Sequence, residues 1–158
     1  MRRSDREITD FEEKLKVIEK CDVCRLAFHD TDFPYILPLN FGMELVNGEV
    51  FLYFHGAKEG YKYELMARDN RVAFEMDCEH KLLTTVEDGN CTMEYESVIG
   101  GGTLEMVPDE EKYRALCLIM SHYRQPDFPF NQKVIPHTTV FRLRVSEMTG
   151  KRRKVKNK

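Results

Sequence analysis

The chain has 158 residues, of which 42% are hydrophobic and 11% aromatic, and its formal net charge at pH 7 is −3. This composition predicts one globular domain rather than a disordered chain, and the absence of any run of about 18 apolar residues predicts no membrane span. Residues 1–150 carry 18 basic and 27 acidic side chains, an acidic balance that predicts no nucleic-acid partner.

The basic residues of the N-terminus are not followed by the apolar block of a secretion signal. Together with the odd count of five cysteines, this favours reduced thiols and a cytoplasmic location.

The N-terminal segment also predicts a helix. Thr9-Asp10-Phe11-Glu12 has the pattern of a capping box, in which Thr9 caps the helix. Phe11, Leu15 and Ile18 follow at helical spacing and predict an amphipathic helix of about three turns.

The next segment combines a cysteine pair with a strand. Cys21 and Cys24 have the CxxC spacing of zinc and thiol redox sites, but two further ligands at compatible spacing are missing. We therefore interpret them as structural thiols. Residues 23–28, VCRLAF, predict a strand, and HDTDFP after them is typical of a turn.

Residues 34–56 predict a hairpin. PYILPLNFGMEL (34–45) is read as one extended segment, and Asn47-Gly48 is the strongest short-range hairpin signal because both positions must accept a positive φ. The partner strand is Glu49 to His55. KEGYKYELMARDN (58–70) then predicts a short helix, and residues 72–77 predict a further strand.

Residues 78–91, CEHKLLTTVEDGNC, are the least regular part of the sequence and are interpreted as a loop. Cys78, His80 and Cys91 would offer a zinc ion three ligands, but no fourth ligand is evident. A metal site in this loop therefore stays open as a minor alternative.

The remaining segments complete the predicted fold. Residues 92–107 predict a long strand that is broken or bulged at Gly100–Gly102; the phosphate-loop pattern needs Lys-Ser/Thr after the glycines, which is absent. Pro108–Glu111 opens a helix, and residues 139–148 alternate like a strand with one wet side. One face of that helix is expected to carry Tyr113, Leu116, Cys117 and Met120.

Several short antiparallel strands of this kind tend to close into a barrel. We therefore predict an α+β, mainly β fold: a β-barrel with flanking helices, formed by residues 1–150 as a single domain. Residues 151–158, KRRKVKNK, carry six basic side chains and are expected to form a solvated basic tail.

The stretch YFHGAKEGYK (53–62) is the best candidate for a binding site. Small residues between a strand and a helix expose backbone N–H groups to a ligand, and Lys58 and Lys62 add positive charge. Tyr61 and Tyr63 would add hydroxyl donors. From the residues alone, an anion site and an ordinary solvated turn both stay open, and His55 is either a structural or a catalytic histidine.

The ordered series PYILPLNFGMEL, FLYFHGAKEGYKYELM, RVAFEMD, TMEYESVIGGGTLEMV and Thr149-Gly150-Lys151 resembles the nitroimidazole-resistance (Nim) family. This family belongs to the pyridoxamine 5′-phosphate oxidase-like, flavin-binding split-barrel proteins, and the resemblance runs from about Arg3 to Lys151. It implies an FMN-binding split β-barrel that forms a homodimer with the flavin, FMN or FAD, at the subunit interface.

The resemblance also implies roles for particular residues. The strand at residues 38–40 runs along the flavin ring, and the strand that ends at residues 54–56 passes its other side. The turn and helix start at residues 57–62 bind the flavin phosphate. Ser97 is expected to hydrogen-bond the ring or the partner subunit, and His55 to act as the catalytic proton donor. The implied cofactor-binding residues are Pro38, Leu39, Asn40, Phe54, His55, Gly56, Ala57, Lys58, Tyr61, Lys62 and Ser97.

The function implied by the resemblance is a flavin-dependent oxidoreductase that reduces a small-molecule electron acceptor, for example a nitroaromatic compound such as a nitroimidazole. The alternative is a non-catalytic flavin- or haem-binding module, in which His55 would be a haem ligand. The arginine-rich C-terminal substrate signature of true pyridoxamine phosphate oxidases is not found in the sequence, so oxidation of vitamin B6 is not expected.

Overall fold

The computed structural model describes residues 3–87 and 89–155, and these residues form an antiparallel sheet with flanking helices. The strands are β1 (Glu7–Ile8), β2 (Cys24–Phe28), β3 (Tyr35–Leu39), β4 (Gly42–Val46), β5 (Glu49–Gly56), β6 (Arg71–Thr85), β7 (Asn90–Met106) and β8 (Thr139–Arg153). The α-helices are α1 (Phe11–Lys20), α2 (Tyr61–Arg68) and α3 (Lys112–His122). Within the described ranges no helix is long and apolar enough to cross a membrane.

The sheet curls around a single apolar core. Its strand order is β3-β2-β6-β7-β8-β5-β4, with β1 paired to the far end of β8. Leu26 of β2 and Phe54 of β5 stand far apart in this order, yet both belong to the same buried cluster, as does Phe74 of β6. Because β3 and β4 at the two ends of the order are not paired with each other in the described residues, the barrel is split.

Helix α3 covers the outer face of the sheet at β4, β5 and β8. A second apolar cluster there contains Tyr53, Ala115, Ile119 and Val140. The helix lies directly on β4, since a Cβ added to Gly42 would come within 2.6 Å of the Ile119 backbone nitrogen. Glycine is therefore required at this position for the close approach of the helix.

Several local predictions are confirmed, and one cap is corrected. Helix α1 begins at Phe11 as expected, but its N-cap is Asp10, which accepts a hydrogen bond from the Glu13 amide at 2.9 Å, and not Thr9. Asn47 and Gly48 have φ values of 52° and 83° at the turn between β4 and β5, as the hairpin signal required.

The segment 34–45 is two strands and not one. β3 and β4 lie at opposite ends of the strand order, so the chain leaves one edge of the sheet after Leu39 and enters the other at Gly42. The Tyr123 hydroxyl holds the crossing, since it accepts hydrogen bonds from Asn40 Nδ2 at 3.0 Å and from the Phe41 amide at 3.2 Å. This tertiary anchor has no local sequence signal.

The predicted loop 78–91 is instead the outer part of a long hairpin. β6 and β7 stay paired out to Thr85 and Asn90, and Leu82 lies opposite Met93. The strand period is broken by a register shift between Cys78 and Lys81, where Glu79 has a φ of 59°. This irregularity explains why alternation was not visible in the sequence. Asp88 lies outside the described residues.

The expected irregularity at the three glycines is confirmed, because the register of β7 against β8 shifts between Gly101 and Gly102. The predicted buried face of α3 is only partly correct. Leu116 is buried, but Tyr113 is 49% exposed, and the other buried residues are Ala115 and Ile119. A short 3₁₀ turn at Asp109–Glu111 precedes the helix and shifts its phase relative to the predicted start.

The expected boundary of the basic tail is corrected. Lys151 to Arg153 continue β8 and pair with Ser97, Glu96 and Tyr95 of β7. The half-buried Arg152 lies 2.8 Å from the fully buried carboxylate of Glu96, so this part of the predicted tail is tied to the sheet. Residues 156–158 of the predicted tail lie outside the described residues.

Candidate functional site

At the turn between β5 and α2, the ammonium group of Lys62 lies close to both Gly56 and Gly60. β5 ends at Gly56 and α2 begins at Tyr61, and Lys62 is the second residue of the helix. Its Nζ atom lies 4.3 Å from the centre of the Tyr63 ring. A Cβ added to Gly56 would come within 3.2 Å of Nζ, and one added to Gly60 within 3.4 Å. The two glycines therefore leave the space that the ammonium group occupies.

The ammonium group of Lys62 is partly buried without a counter-charge. The side chain is half-buried, and desolvation lowers the pKa of Lys62 with no acidic group acting against it. Among the described residues no carboxylate forms an ion pair with it, whereas Lys112, for example, pairs with Asp109 at 2.7 Å. An unpaired, partly desolvated cation is costly, so this site favours an anionic ligand.

The start of α2 has the complementary property. Its N-cap is Gly60, which has a φ of 146° and supplies no side-chain hydrogen bond to the first turn. The first amides of a helix have no partners within the helix, and together they attract anions. The Lys62 ammonium and the uncapped helix start thus lie in the same turn, and a phosphate group would satisfy both.

The two tyrosines of this turn do not offer free hydroxyl donors, contrary to expectation. The Tyr61 hydroxyl donates to the Asp30 carboxylate, with its oxygens at 2.8 and 2.9 Å. The Tyr63 hydroxyl donates to the Ala57 carbonyl at 2.8 Å. Both groups therefore fix the turn to its surroundings. Ala57 and Lys58 are exposed beside them.

His55 and Lys62 lie on opposite faces of β5. Successive strand residues point to opposite faces, and His55 shares the outer face with Tyr53 and with Val140, its partner on β8. Lys62 instead packs on Tyr63, whose ring contacts Phe141 of the barrel core. The structure therefore brings these two predicted site residues to one strand end but not to one face.

The His55 imidazole is open to solvent on one side and shielded on others. The residue is exposed, yet desolvation by the surrounding protein lowers the pKa of its imidazole, with no charged group contributing. Neither ring nitrogen has a hydrogen-bond partner among the described residues. Desolvation therefore favours the neutral form of the imidazole, and the ring is accessible to a ligand.

The predicted ring-binding residues of β3 lie at a sheet edge. Pro38 pairs with Arg25 of β2 on one side only, a position where its missing N–H is tolerated. Leu39 packs partly against the core. Asn40 is exposed, but its amide nitrogen is engaged by Tyr123, so its side chain is oriented by α3.

Two other predicted residues have different surroundings. Phe54 is fully buried and stacks on Phe141 at 5.4 Å, so its side chain belongs to the core and only its backbone would face a ligand. Ser97 is half-buried on the outer face of β7, between Asp77 of β6 and Lys151 of β8. Neither side chain contacts the β5–α2 turn.

The cysteines do not form a metal site. Cys21 and Cys24 are buried free thiols, and burial raises the pKa of both, as expected of structural thiols. In residues 3–87 and 89–155, no group of three His, Cys, Asp or Glu side chains is arranged to hold a metal. His80 lies 2.7 Å from Asp77, and Cys91 lies opposite Thr84 further out on the same hairpin, so the described residues do not bring Cys78, His80 and Cys91 together.

Three residues that organise the site were missed in the sequence: Asp30, Gly60 and Tyr123. The Asp30 and Tyr123 contacts join residues 31 and 83 positions apart, and no spacing rule predicts them. Gly60 had a signal, because a glycine immediately before a predicted helix marks a backbone turn that other residues resist.

Comparison with known proteins identifies the family. The family model described as pyridoxamine 5′-phosphate oxidase matches residues 10–152. The chain belongs to the pyridoxamine 5′-phosphate oxidase family. A search of curated proteins found no match.

Solved structures agree with this assignment. A Bacteroides thetaiotaomicron protein, provisionally described as a 5-nitroimidazole antibiotic resistance protein, is 32% identical, with a TM-score of 0.79 over 92% of this chain and 85% of that chain. The flavocytochrome Anf3 of Azotobacter vinelandii is 18% identical, with a TM-score of 0.77 over 98% and 72%. An FAD- and haem-binding protein of Mycobacterium smegmatis is 16% identical, with a TM-score of 0.78 over 95% and 74%.

These comparisons confirm two expectations drawn from the sequence. The resemblance to the nitroimidazole-resistance branch is supported by the 32% identity over most of both chains. The α+β, mainly β split-barrel fold is confirmed by the sheet topology and by the family match. At 18% and 16% identity, the other two structures bear on the fold alone.

Proposed function

We propose that the chain is a flavin-dependent oxidoreductase that binds the phosphate of FMN, or the equivalent phosphate of FAD, at the β5–α2 turn. The observation that carries the proposal is the half-buried Lys62 ammonium with no carboxylate partner in the described residues. Family membership and relatives described as flavin-binding proteins support the choice of a flavin among phosphate-bearing ligands.

The residues at the turn fit a flavin phosphate. Lys62 would neutralise its charge, the amides of Tyr61 and Lys62 at the start of α2 would donate to its oxygens, and Gly56 and Gly60 would keep side chains out of the space. Lys58, exposed in the same turn, would add a second and weaker positive charge. Residues at the ends of β3 and β5, among them Leu39 and Gly56, would hold the flavin ring.

A flavin, when bound, supplies the electron transfer itself, and the protein supplies orientation and protons. Asn40 would hold the ring edge, since Tyr123 fixes its amide and leaves its oxygen free to accept. His55 would donate a proton from its imidazole to a small-molecule acceptor, such as a nitro compound, as that acceptor is reduced. Because desolvation lowers the pKa of His55 below the ordinary 6.5, this donation is expected to weaken as pH rises on the acid side of neutrality.

We also propose that the protein is a homodimer in the cytoplasm. The outer face of the sheet at β3 and β7 carries Ile36 and Ile99, which are 61% and 53% exposed, together with Ser97. These exposed apolar side chains favour burial against a second copy, which would also close the groove beside β3. All five cysteines are free, which suits a reducing compartment.

A second candidate function is a flavin- or haem-binding module without catalysis. It is favoured by the accessible His55 imidazole, which has no hydrogen-bond partner in the described residues, and by relatives described as a flavocytochrome and as an FAD- and haem-binding protein. In this case the His55 imidazole would hold the haem through its iron.

The absorption spectrum of the purified protein tests both candidates. We expect the flavin bands in the blue, or their appearance after titration with FMN, and consumption of NADH or NADPH when a nitroaromatic acceptor is added. A Soret band that is lost in His55→Ala would favour the haem-binding module. Colourless protein that takes up neither FMN nor FAD would refute the proposed function.

A further inference from the structure

Helix α2 has little of its own to hold it in place. It has eight residues, of which Leu65 is the buried one, and its N-cap provides no side-chain hydrogen bond. Helices of this length are not stable in isolation and depend on tertiary contacts. The contacts that fix its first turn therefore also fix the position of Lys62.

The β2–β3 connection supplies such a contact through Asp30. Its side chain is 16% exposed, and its two carboxylate oxygens accept from the Tyr61 hydroxyl at 2.8 and 2.9 Å. Arg68 lies 3.3 Å from the same carboxylate. Tyr61 and Arg68 are seven residues apart, so they stand on one face of α2 at its two ends. One carboxylate thus holds the helix along its whole length.

The tyrosine ring adds a second constraint. Tyr61 meets the Tyr35 ring edge to face, with the ring centres 5.4 Å apart, and this contact joins the helix start to β3. Asp30 itself is held by the Thr31 amide at 2.8 Å. The paired Arg68 and the bound hydroxyl satisfy the Asp30 carboxylate, and they lower its pKa, led by the Tyr61 hydrogen bond.

We propose that Asp30 is a positioning residue for the anion site, which holds Tyr61 and Arg68 so that Lys62 and the first amides of α2 point at one phosphate group. The inference rests on the proposed function. Asp30 does not touch the ligand; it acts through Tyr61, on the opposite side of the helix start from the Tyr63–Ala57 contact. Lys62 therefore lies between two anchored tyrosines: Tyr61 is bound to the β2–β3 connection, and Tyr63 is bound to the Ala57 carbonyl within the turn.

The experiment compares the affinities for FMN and for riboflavin, which lacks the phosphate, by fluorescence titration. The ratio of the two dissociation constants reports the phosphate site alone. We expect Asp30→Ala and Tyr61→Phe each to reduce the FMN preference about three- to tenfold, the effect of one or two lost hydrogen bonds, with riboflavin affinity unchanged. Asp30→Asn, which keeps an acceptor for Tyr61, should restore part of the preference.

Two further variants complete the design. The double variant of Asp30→Ala with Tyr61→Phe should be no worse than the worse single variant, because both remove the same contact. Asp69→Asn is the matched control: it removes the ion pair with Arg71 just beyond the other end of α2 and should leave the preference unchanged. Tyr61→Phe deletes one oxygen, so it keeps the test valid if Asp30→Ala does not fold.

The outcomes separate the two levels of the hypothesis. If Lys62→Met removes the FMN preference but Asp30→Ala and Tyr61→Phe retain it, the positioning role is wrong and the phosphate site stands. Equal losses of FMN and riboflavin affinity in Asp30→Ala would likewise overturn the positioning role, because they would indicate a general structural defect. A wild-type protein with no preference for FMN over riboflavin would refute the phosphate site itself.

Discussion

Two charged regions of the molecule differ in how their charges are neutralised. At the end of β8, the fully buried Glu96 carboxylate has Lys20 at 2.7 Å, Arg152 at 2.8 Å and Lys154 at 3.0 Å. At the β5–α2 turn, the half-buried Lys62 has no such partner in the described residues. We call the first region the Glu96 cluster.

This difference indicates a structural role for the Glu96 cluster and a ligand-binding role for the β5–α2 turn. The Glu96 cluster ties α1 to β7 and β8 with charges drawn entirely from this chain, and it is a structural element. The turn keeps an ammonium group partly desolvated and uncompensated, which lowers the stability of the protein without a ligand and favours binding of an anion. The predictions below test this contrast, from the largest expected effect to the smallest.

Glu96→Gln should give the largest loss of stability. The substitution keeps the shape of the side chain but leaves three cations without their shared counter-charge, at an expected cost of about 2–4 kcal/mol, less than for a fully buried cluster because the cations keep some solvent contact. Urea denaturation measures this free energy. Glu49→Gln, at the exposed pair with Arg144, is the control and should change it by less than about 1 kcal/mol.

The loss of stability in Glu96→Gln should depend on pH. Burial opposes ionisation of Glu96, but Lys20, Lys154 and Arg152 outweigh it and lower its pKa below the ordinary 4.5. A lowered carboxyl pKa stabilises the folded state above pH 4.5, and this contribution is lost as pH falls through the folded-state pKa. The difference in the free energy of unfolding between wild type and Glu96→Gln should therefore become smaller in acid. A difference that does not depend on pH would show that Glu96 is not ionised in the folded protein.

Lys62→Met should have opposite effects on binding and on stability. Loss of a charged phosphate contact is expected to weaken FMN binding by about 1.5–3 kcal/mol, while the ligand-free protein becomes slightly more stable because a desolvated charge is removed. Fluorescence titration and thermal unfolding without flavin measure the two effects. Lys16→Met, an exposed lysine of α1, controls for the change in net charge. Unchanged FMN affinity would show that the flavin phosphate does not bind at this turn.

The smallest expected effect is at His55. Its folded-state pKa is lowered from 6.5 by desolvation, so the unfolded state binds more protons as pH falls through this range, and folding stability declines. His55→Gln should lack this decline and gain on wild type by a fraction of a kcal/mol at pH 5, since the ring is partly solvated. Parallel stability curves between pH 7 and pH 5 would show that His55 is not desolvated.

The sequence allowed the fold to be predicted wherever the signal was local. The Asn47-Gly48 turn, the start of α1 at Phe11 and the irregularity at Gly101 depend on backbone preferences of neighbouring residues, and all three are confirmed. Predictions failed where tertiary contacts decide. The split of residues 34–45 into two edge strands depends on Tyr123, and the hidden strands in 78–91 depend on a register shift at Glu79.

The candidate site divides in the same way. Lys62 was identified from its place at a helix start, and the structure adds the property that matters, its missing counter-charge. The roles of Tyr61 and Tyr63 were not predicted, since Asp30, the partner of Tyr61, lies on another segment and a backbone carbonyl such as that of Ala57 leaves no residue signal. The face of β5 that His55 occupies, and its separation from Lys62, were not predicted, because they depend on the register of β5 and on the position of the α2 turn.

Strand β8 has a consequence for how the chain folds during synthesis. It pairs with β1, β5 and β7, and Lys151 is hydrogen-bonded between Glu7 at one end of the sequence and Ser97 in its middle. A growing polypeptide on the ribosome therefore cannot close the barrel until residues 139–153 have left the exit tunnel. Until then the edges of β5 and β7 that later pair with β8 have no partner strand. Nascent chains stalled before residue 139 should therefore bind strongly to holdase chaperones.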